Sequence, residues 1–319
     1  MKSTIVFDTY WKFAAERYRI YEKRLRGQGQ PWTTDPILNA YKFTNVFRAC
    51  DRVSQFLLKE VIYEPSASTR PEEVVFRILL FKLFNSIPAW DVLKSRFGMP
   101  TWKRFDEETY AGELGKAKAN GLKIWNAAYV QNQNYAVHLP NKHERYLALL
   151  RHMMSTNVTG KLQAARSYAD AFKVLQSYPL HGKSFIPMQH LTDINYSEVI
   201  NFDEDDFIVP GPGALDGMSK CVDALKLGMT PSDFIRGCVE DQEGFFAEVS
   251  EAPIRLMGKR RLHLIDCQNL FCETDKYARI AHPEFNLMRT DIKQKLKAIG
   301  PLPTPFFPPK WGINSESAK

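Results

Sequence analysis

Segment after segment of this chain repeats its apolar residues every three to four positions, and no run of alternating β-branched residues suggests a multi-stranded sheet. A period near 3.6 buries one stripe of a helix, whereas a period of 2 buries one face of a strand. The pattern restricts the chain to a mostly α fold. The spacing predicts helices over 11–26, 44–63, 72–84, 89–97, 110–131, 141–154, 161–176 and 196–200. Gly27-Gln28-Gly29-Gln30-Pro31 ends the first of them, and Pro65 to Pro71 reads as a loop. There is no internal repeat and no long low-complexity tract. The expected organisation is a basic N-terminal helix and linker over 1–40, one helical domain over 41–300 and a Pro-rich tail over 301–319. The tail, Pro301 to Pro309, is extended; a strap across the body is the preferred reading over a ligand for another protein.

Composition excludes several classes. Hydrophobic residues make up 44% and charged residues 25% of 319, an ordinary globular mix. No stretch approaches the roughly 18 apolar residues that a membrane span needs, and the opening residues lack the apolar core of a secretory signal. Five cysteines, an odd number without a C-x-x-C pair, argue against a disulfide scaffold or a zinc ribbon. Free thiols suit a reducing compartment, so a cytoplasmic location is expected. The histidines show no metal-ligand spacing, and no metal is expected. G-x-x-x-x-G-K-[ST] is absent, since its nearest approach, Gly182-Lys183-Ser184, has Ser177 where glycine is required. G-x-G-x-x-G after a strand, H-E-x-x-H and G-x-S-x-G are absent too.

The net charge of +7 is unevenly spread. Residues 190–254 hold 3 Lys/Arg against 14 Asp/Glu, and the flanks are basic, with 11 against 6 over 1–60 and 12 against 6 over 255–319. A basic face for a polyanion fits this balance, although many basic proteins bind no nucleic acid.

The most informative segment runs from Phe207 to Cys221. An apolar run ends in Pro210-Gly211-Pro212-Gly213, and an amphipathic helix follows. A helix-hairpin-helix reads this way: Gly211 and Gly213 would allow a tight turn with positive φ and leave backbone N–H groups open to a phosphate. A plain turn reads the same. Further on, Arg261 to Asp266 is an apolar run ending in an acid. Asp266 either carries chemistry, as a fixed anion beside developing positive charge, or caps a helix.

Asp266-Cys267-Gln268-Asn269-Leu270-Phe271-Cys272-Glu273-Thr274-Asp275-Lys276-Tyr277-Ala278-Arg279 resembles the D-x-x-x-x-x-C-E-x-D-K-Y-x-R signature of a helical family tied to DNA hypermodification. That family includes the helical domain associated with 5-hydroxymethyl-deoxyuridine DNA kinases and the α-glutamyl/putrescinyl thymine pyrophosphorylases, or amino acid:DNA transferases. Lys42 to Arg48 with Asp51-Arg52, Leu80 to Asn85, Thr192 to Ser197 and Gly211 to Ala214 resemble the same family, so the likeness covers about residues 40 to 285. It implies a helix-hairpin-helix DNA glycosylase-like helical fold, and it implies action on a base flipped out of the duplex.

The resemblance places Asp266 in the catalytic role. The leading expectation is a monofunctional DNA glycosylase that excises a bulky 5-hydroxymethyl-pyrimidine-derived base from phage-type double-stranded DNA and leaves an abasic site. The hairpin lacks the Schiff-base lysine that strand cleavage would need. The alternatives are an amino acid:DNA transferase displacing pyrophosphate from 5-pyrophosphoryloxymethyl-uracil, and a non-catalytic DNA-binding module. The expected base pocket is Arg48, Asp51, Arg52, Asn85, Tyr129, Asp193, Gln268 and Asn269. The expected DNA contacts are Gly211, Gly213, Lys220, Lys276 and Arg279. No cofactor is expected beyond a monovalent cation at the hairpin. The partner is modified DNA, with no membrane and no obligate protein partner, in a bacterial or phage-infected cell.

Overall fold

The computed structural model describes residues 3–126, 135–180, 185–222, 228–286, 289–297, 300 and 302–314. Among these residues there is no β-strand, only isolated bridges, so the mostly α expectation holds. The helices are α1 (Ile5–Leu25), α2 (Pro36–Ala40), α3 (Arg52–Phe56), α4 (Pro71–Phe84), α5 (Ile87–Phe97), α6 (Glu107–Ala119) and α7 (Lys142–Ser155). They continue with α8 (Val158–Gln163), α9 (Tyr168–Gln176), α10 (Phe185–Asn195), α11 (Pro212–Cys221), α12 (Pro231–Glu240), α13 (Gln242–Glu248) and α14 (Leu264–Ala281). No helix among the described residues is long and apolar enough to cross a membrane.

The chain packs into two compact units, Met1–Asp51 with Ile208–Lys319, and Arg52–Phe207. This differs from the three-part reading of the sequence. The first helix and the tail belong with residues 208–300, because their apolar residues are buried there. Tyr10 lies 4.4 Å, ring centre to ring centre, from Phe271 and donates its hydroxyl to the Cys267 carbonyl. The tail is a strap: Phe307 is fully buried, and Asn314 hydrogen-bonds both its N–H and its carbonyl.

In the first unit α11 crosses α14 at glycine contact. A Cβ on Gly217 would meet the Phe271 carbonyl oxygen at 2.0 Å, and one on Gly213 would meet the Cys272 sulfur at 2.6 Å. These glycines, four residues apart, face one neighbour and let two backbones touch. The expected hairpin is not built in the way the sequence suggests. Residues 207–211 are not helical, Gly211 caps α11 with extended backbone at φ −82°, and Gly213 has no positive φ. Gly213 serves helix packing.

In the second unit α4 is the central helix, buried from Glu73 to Phe84, with Phe81 edge-on to Trp90 of α5. Four sequence expectations change. The helix predicted over 110–131 ends at Ala119, and residues 120–126 are not helical. The helix predicted over 44–63 is broken into a 3-10 turn at Arg48–Cys50, α3, and a π-helical turn at Leu57–Ile62. Asn45 donates its backbone N–H to Asp51 and its side-chain amide to the Cys50 carbonyl, so side chains satisfy backbone groups that a helix would otherwise use. The helix predicted over 161–176 splits at Ser167, which caps α9. Residues 196–200 are not helical, while the unexpected α10 precedes them.

The glycine contact yields a prediction. Gly217→Ala should destabilise the first unit by about 1–3 kcal/mol through overpacking. Gly237→Ala, where a Cβ meets nothing within 4 Å, should gain about 0.5–1 kcal/mol. Urea denaturation of both variants checks the contrast.

Candidate functional site

The first unit gathers its buried charges around the segment from Thr44 to Asp51. Asp266 sits at the third position of α14, 4% exposed. One of its oxygens accepts the His263 N–H at 3.2 Å, and the other accepts the Arg48 N–H at 2.8 Å. Two turns further on, Glu273 accepts the Thr44 N–H at 3.0 Å. The two carboxylates thus hold the segment at its start and at its middle. Asp266 is a helix cap, and it is also a buried acceptor for a second, distant backbone N–H.

Inside the segment, Asp51 is half-buried and accepts the Asn45 N–H at 2.8 Å. Burial pushes its carboxyl up to about 6, against the downward pull of the Asn45 N–H and of Arg17 and Arg48. Arg17 reaches in from α1, donating to Asn45 Oδ1 at 2.7 Å. It is 8% exposed, and its Nη1 has no hydrogen-bond partner among the described residues. Burial lowers its guanidinium to about 10, so it stays charged at neutral pH. A carboxyl raised to about 6 can exchange a proton near neutral pH, and the arginine beside it keeps one buried N–H without a partner among the described residues.

The other expected residues fall into three groups. Gln268 is buried and donates to half-buried Asn269 at 3.3 Å, both on α14. Asn85 and Asp193 lie in the second unit and are joined through Lys82, whose ammonium is 3.0 Å from each. All three are buried, and Asn85 ends α4 in the left-handed conformation with φ 47°. Arg52 is exposed at the start of α3. Tyr129 lies outside the described residues. The structure therefore brings Arg48, Asp51 and Asp266 together in one unit, and Asn85 with Asp193 in the other.

The expected DNA contacts have different surroundings. Lys220 is 4% exposed, 3.0 Å from Asp275 and 3.0 Å from Asn286 Oδ1. Arg279 pairs with the same Asp275, and Lys276 lies 2.6 Å from Glu273. These cations pair with carboxylates of α14; Lys220 and Arg279 are enclosed, whereas Lys276 stays partly exposed. Arg17, Asn45 and Glu273 were not among the expected site residues. Arg17 was legible, since it falls in register with the apolar stripe Val6, Tyr10, Phe13 and Ile20 of α1.

Two predictions follow from this geometry. Asp266→Ala orphans two backbone N–H groups and should cost about 3 kcal/mol, with Asp266→Asn, which keeps one carbonyl oxygen, costing less; urea denaturation measures both. Asp51 binds its proton more tightly folded than unfolded, so its ionisation lowers stability as pH rises from about 4 to about 6. Asp51→Asn removes that loss, and its Tm relative to wild type should climb between pH 4 and pH 7.

Comparison with known proteins adds the following. The sequence model of a family described as "5-hmdU DNA kinase, helical domain" matches residues 4–287. The 5-hmdU DNA kinase of Bacillus phage SP10 is 27% identical over 129 residues, which is 40% of this chain and 20% of that protein. The aligned stretch thus spans about a fifth of that relative's length. No solved structure matches.

Proposed function

The chain belongs to the family of the 5-hmdU DNA kinase helical domain, and on that premise we propose that it acts on DNA carrying 5-hydroxymethyl-pyrimidine-derived bases. The family match over residues 4–287 carries this reading. The chemistry proposed is group transfer at the exocyclic 5-methylene carbon. An amine nitrogen bonds to that carbon as its C–O bond breaks, a pyrophosphate leaves with the electron pair, and a carboxylate takes the surplus proton. Asp51 is the group suited to the proton, because it is half-buried and largely ionised at neutral pH. The charge of Arg17, whose buried Nη1 has no partner among the described residues, favours an anion nearby. Asp266 positions the Arg48–Asp51 turn through the Arg48 N–H.

Excision of the base by Asp266 has weaker support. Both of its oxygens already hold main-chain N–H groups, and the matching family is described as a DNA kinase domain. Phosphoryl transfer, the activity in the phage relative's name, is not assigned to this chain, whose sequence lacks the glycine loop that cradles a nucleotide triphosphate.

The test uses DNA bearing pyrophosphorylated 5-hydroxymethyluracil, supplied with a mixture of amino acids and digested to nucleosides for mass spectrometry. An adduct on the base with the glycosidic bond intact is expected. Asp51→Asn should slow its formation about 100-fold or more, the usual weight of a general base. Free base and abasic sites would instead establish excision. Unchanged DNA that is nevertheless bound would leave a binding module.

A further inference from the structure

Lys220, Lys276 and Arg279 pair with carboxylates of α14. A second set of cations in the same unit does not. Residues 289–297 hold four basic residues, Arg289, Lys293, Lys295 and Lys297, and one acid, Asp291. All four cations are exposed, and none is in an ion pair among the described residues.

The backbone sets the lysines in line. Lys295 forms an antiparallel bridge with Tyr41. The Lys42 N–H donates to the Gln294 carbonyl at 2.9 Å, and the Leu296 N–H donates to the Ala40 carbonyl at 2.9 Å. Side chains alternate along a bridged stretch, so positions two apart share a face. Ile292 is 7% exposed and Leu296 is half-buried, so the apolar residues of one parity are turned toward the unit. Lys293, Lys295 and Lys297 have the other parity and stand out in a row, each about 6.6 Å from the next. A further tie comes from α14, where Arg279 donates to the Asp291 carbonyl at 3.1 Å.

The chemistry of the row selects its partner. Evenly spaced ammonium groups without carboxylate partners ask for a linear polyanion, and successive phosphates along one strand of DNA recur at a closely similar interval. A lipid surface fits less well, because segments that lie on membranes turn large apolar side chains outward to the lipid, whereas Ile292 and Leu296 are turned in. Lys42, directly across from Gln294, is exposed as well and is in no ion pair among the described residues. Thr44, two residues on, begins the segment that holds Asp51.

We propose that Lys293, Lys295 and Lys297 track the phosphodiester backbone of duplex DNA, each ammonium against one phosphate, and that Lys42 adds a contact beside them. The proposal rests on the proposed function only in taking DNA as the partner. The contacts are to phosphates, so they carry no base preference, and unmodified DNA tests them without any reaction taking place.

The test is a fluorescence-anisotropy titration of the full chain with a short labelled duplex of unmodified DNA, repeated over a range of salt concentrations. Lys293→Gln, Lys295→Gln and Lys297→Gln combined should weaken binding about tenfold or more and reduce the slope of log affinity against log salt by about 3. A control with the same change of charge, Lys103→Gln, Lys116→Gln and Lys173→Gln on the exposed surface of the second unit, should bind within about twofold of wild type, because charges away from the contact are screened. Both triple variants should keep the wild-type Tm, since every substituted side chain is exposed. A chain that binds duplex through the row yet forms no adduct on pyrophosphorylated DNA keeps this proposal and loses the transfer reading. Failure of the wild-type chain to bind the duplex, equal losses in the two triple variants, or tighter binding to phosphatidylserine vesicles than to duplex overturns the proposal.

Discussion

Two carboxylates on one helix hold the irregular Thr44–Asp51 segment of the first unit in place. Asp266 and Glu273 are both on α14, and both accept backbone N–H groups from a segment more than two hundred residues away in sequence. A buried carboxylate is costly unless it is hydrogen-bonded, and a buried backbone N–H is costly unless it finds an acceptor. Each group removes the cost of the other. The segment from Thr44 to Asp51 can therefore stay irregular inside a helical unit, and that irregularity is what places Asp51 beside Arg17 and not on the face of a helix.

The same helix organises the remaining charges. Asp275 binds Lys220 and Arg279, and Glu273 binds Lys276. Reading a basic residue as a phosphate contact requires that its charge be free to face solvent. Here the acidic residues of α14 supply a partner for each of the three, and the glycines of α11 bring Lys220 close enough to be enclosed. The net charge of the chain is thus a poor guide to which of its basic residues are free to face solvent.

What the sequence made legible was what depends on local pattern. The α class and the strongly apolar α4 both follow from period. The family resemblance rested on Asp266 to Arg279, and the family match confirms it. What escaped depends on distant contacts. The residues from 44 to 63 have a helical period, yet Asn45 and Asp51 divert the backbone once burial brings them together. α10 is buried from Ile186 to Asn195, so it has no polar face to reveal its period. Gly213 looked like a turn residue, and its real constraint, the sulfur of Cys272, lies in another helix.

The order of the chain has a consequence for synthesis on the ribosome. Tyr10 of α1 hydrogen-bonds Cys267 of α14, a separation of 257 residues. At roughly 5–20 residues per second, α1 emerges roughly 13–50 s before its partner exists. During that interval its stripe of Val6, Tyr10, Trp11 and Ala14, all buried in the finished protein, has nothing to cover it, while the second unit, continuous in sequence, can already fold. The first unit is therefore completed only after the last of its helices has emerged.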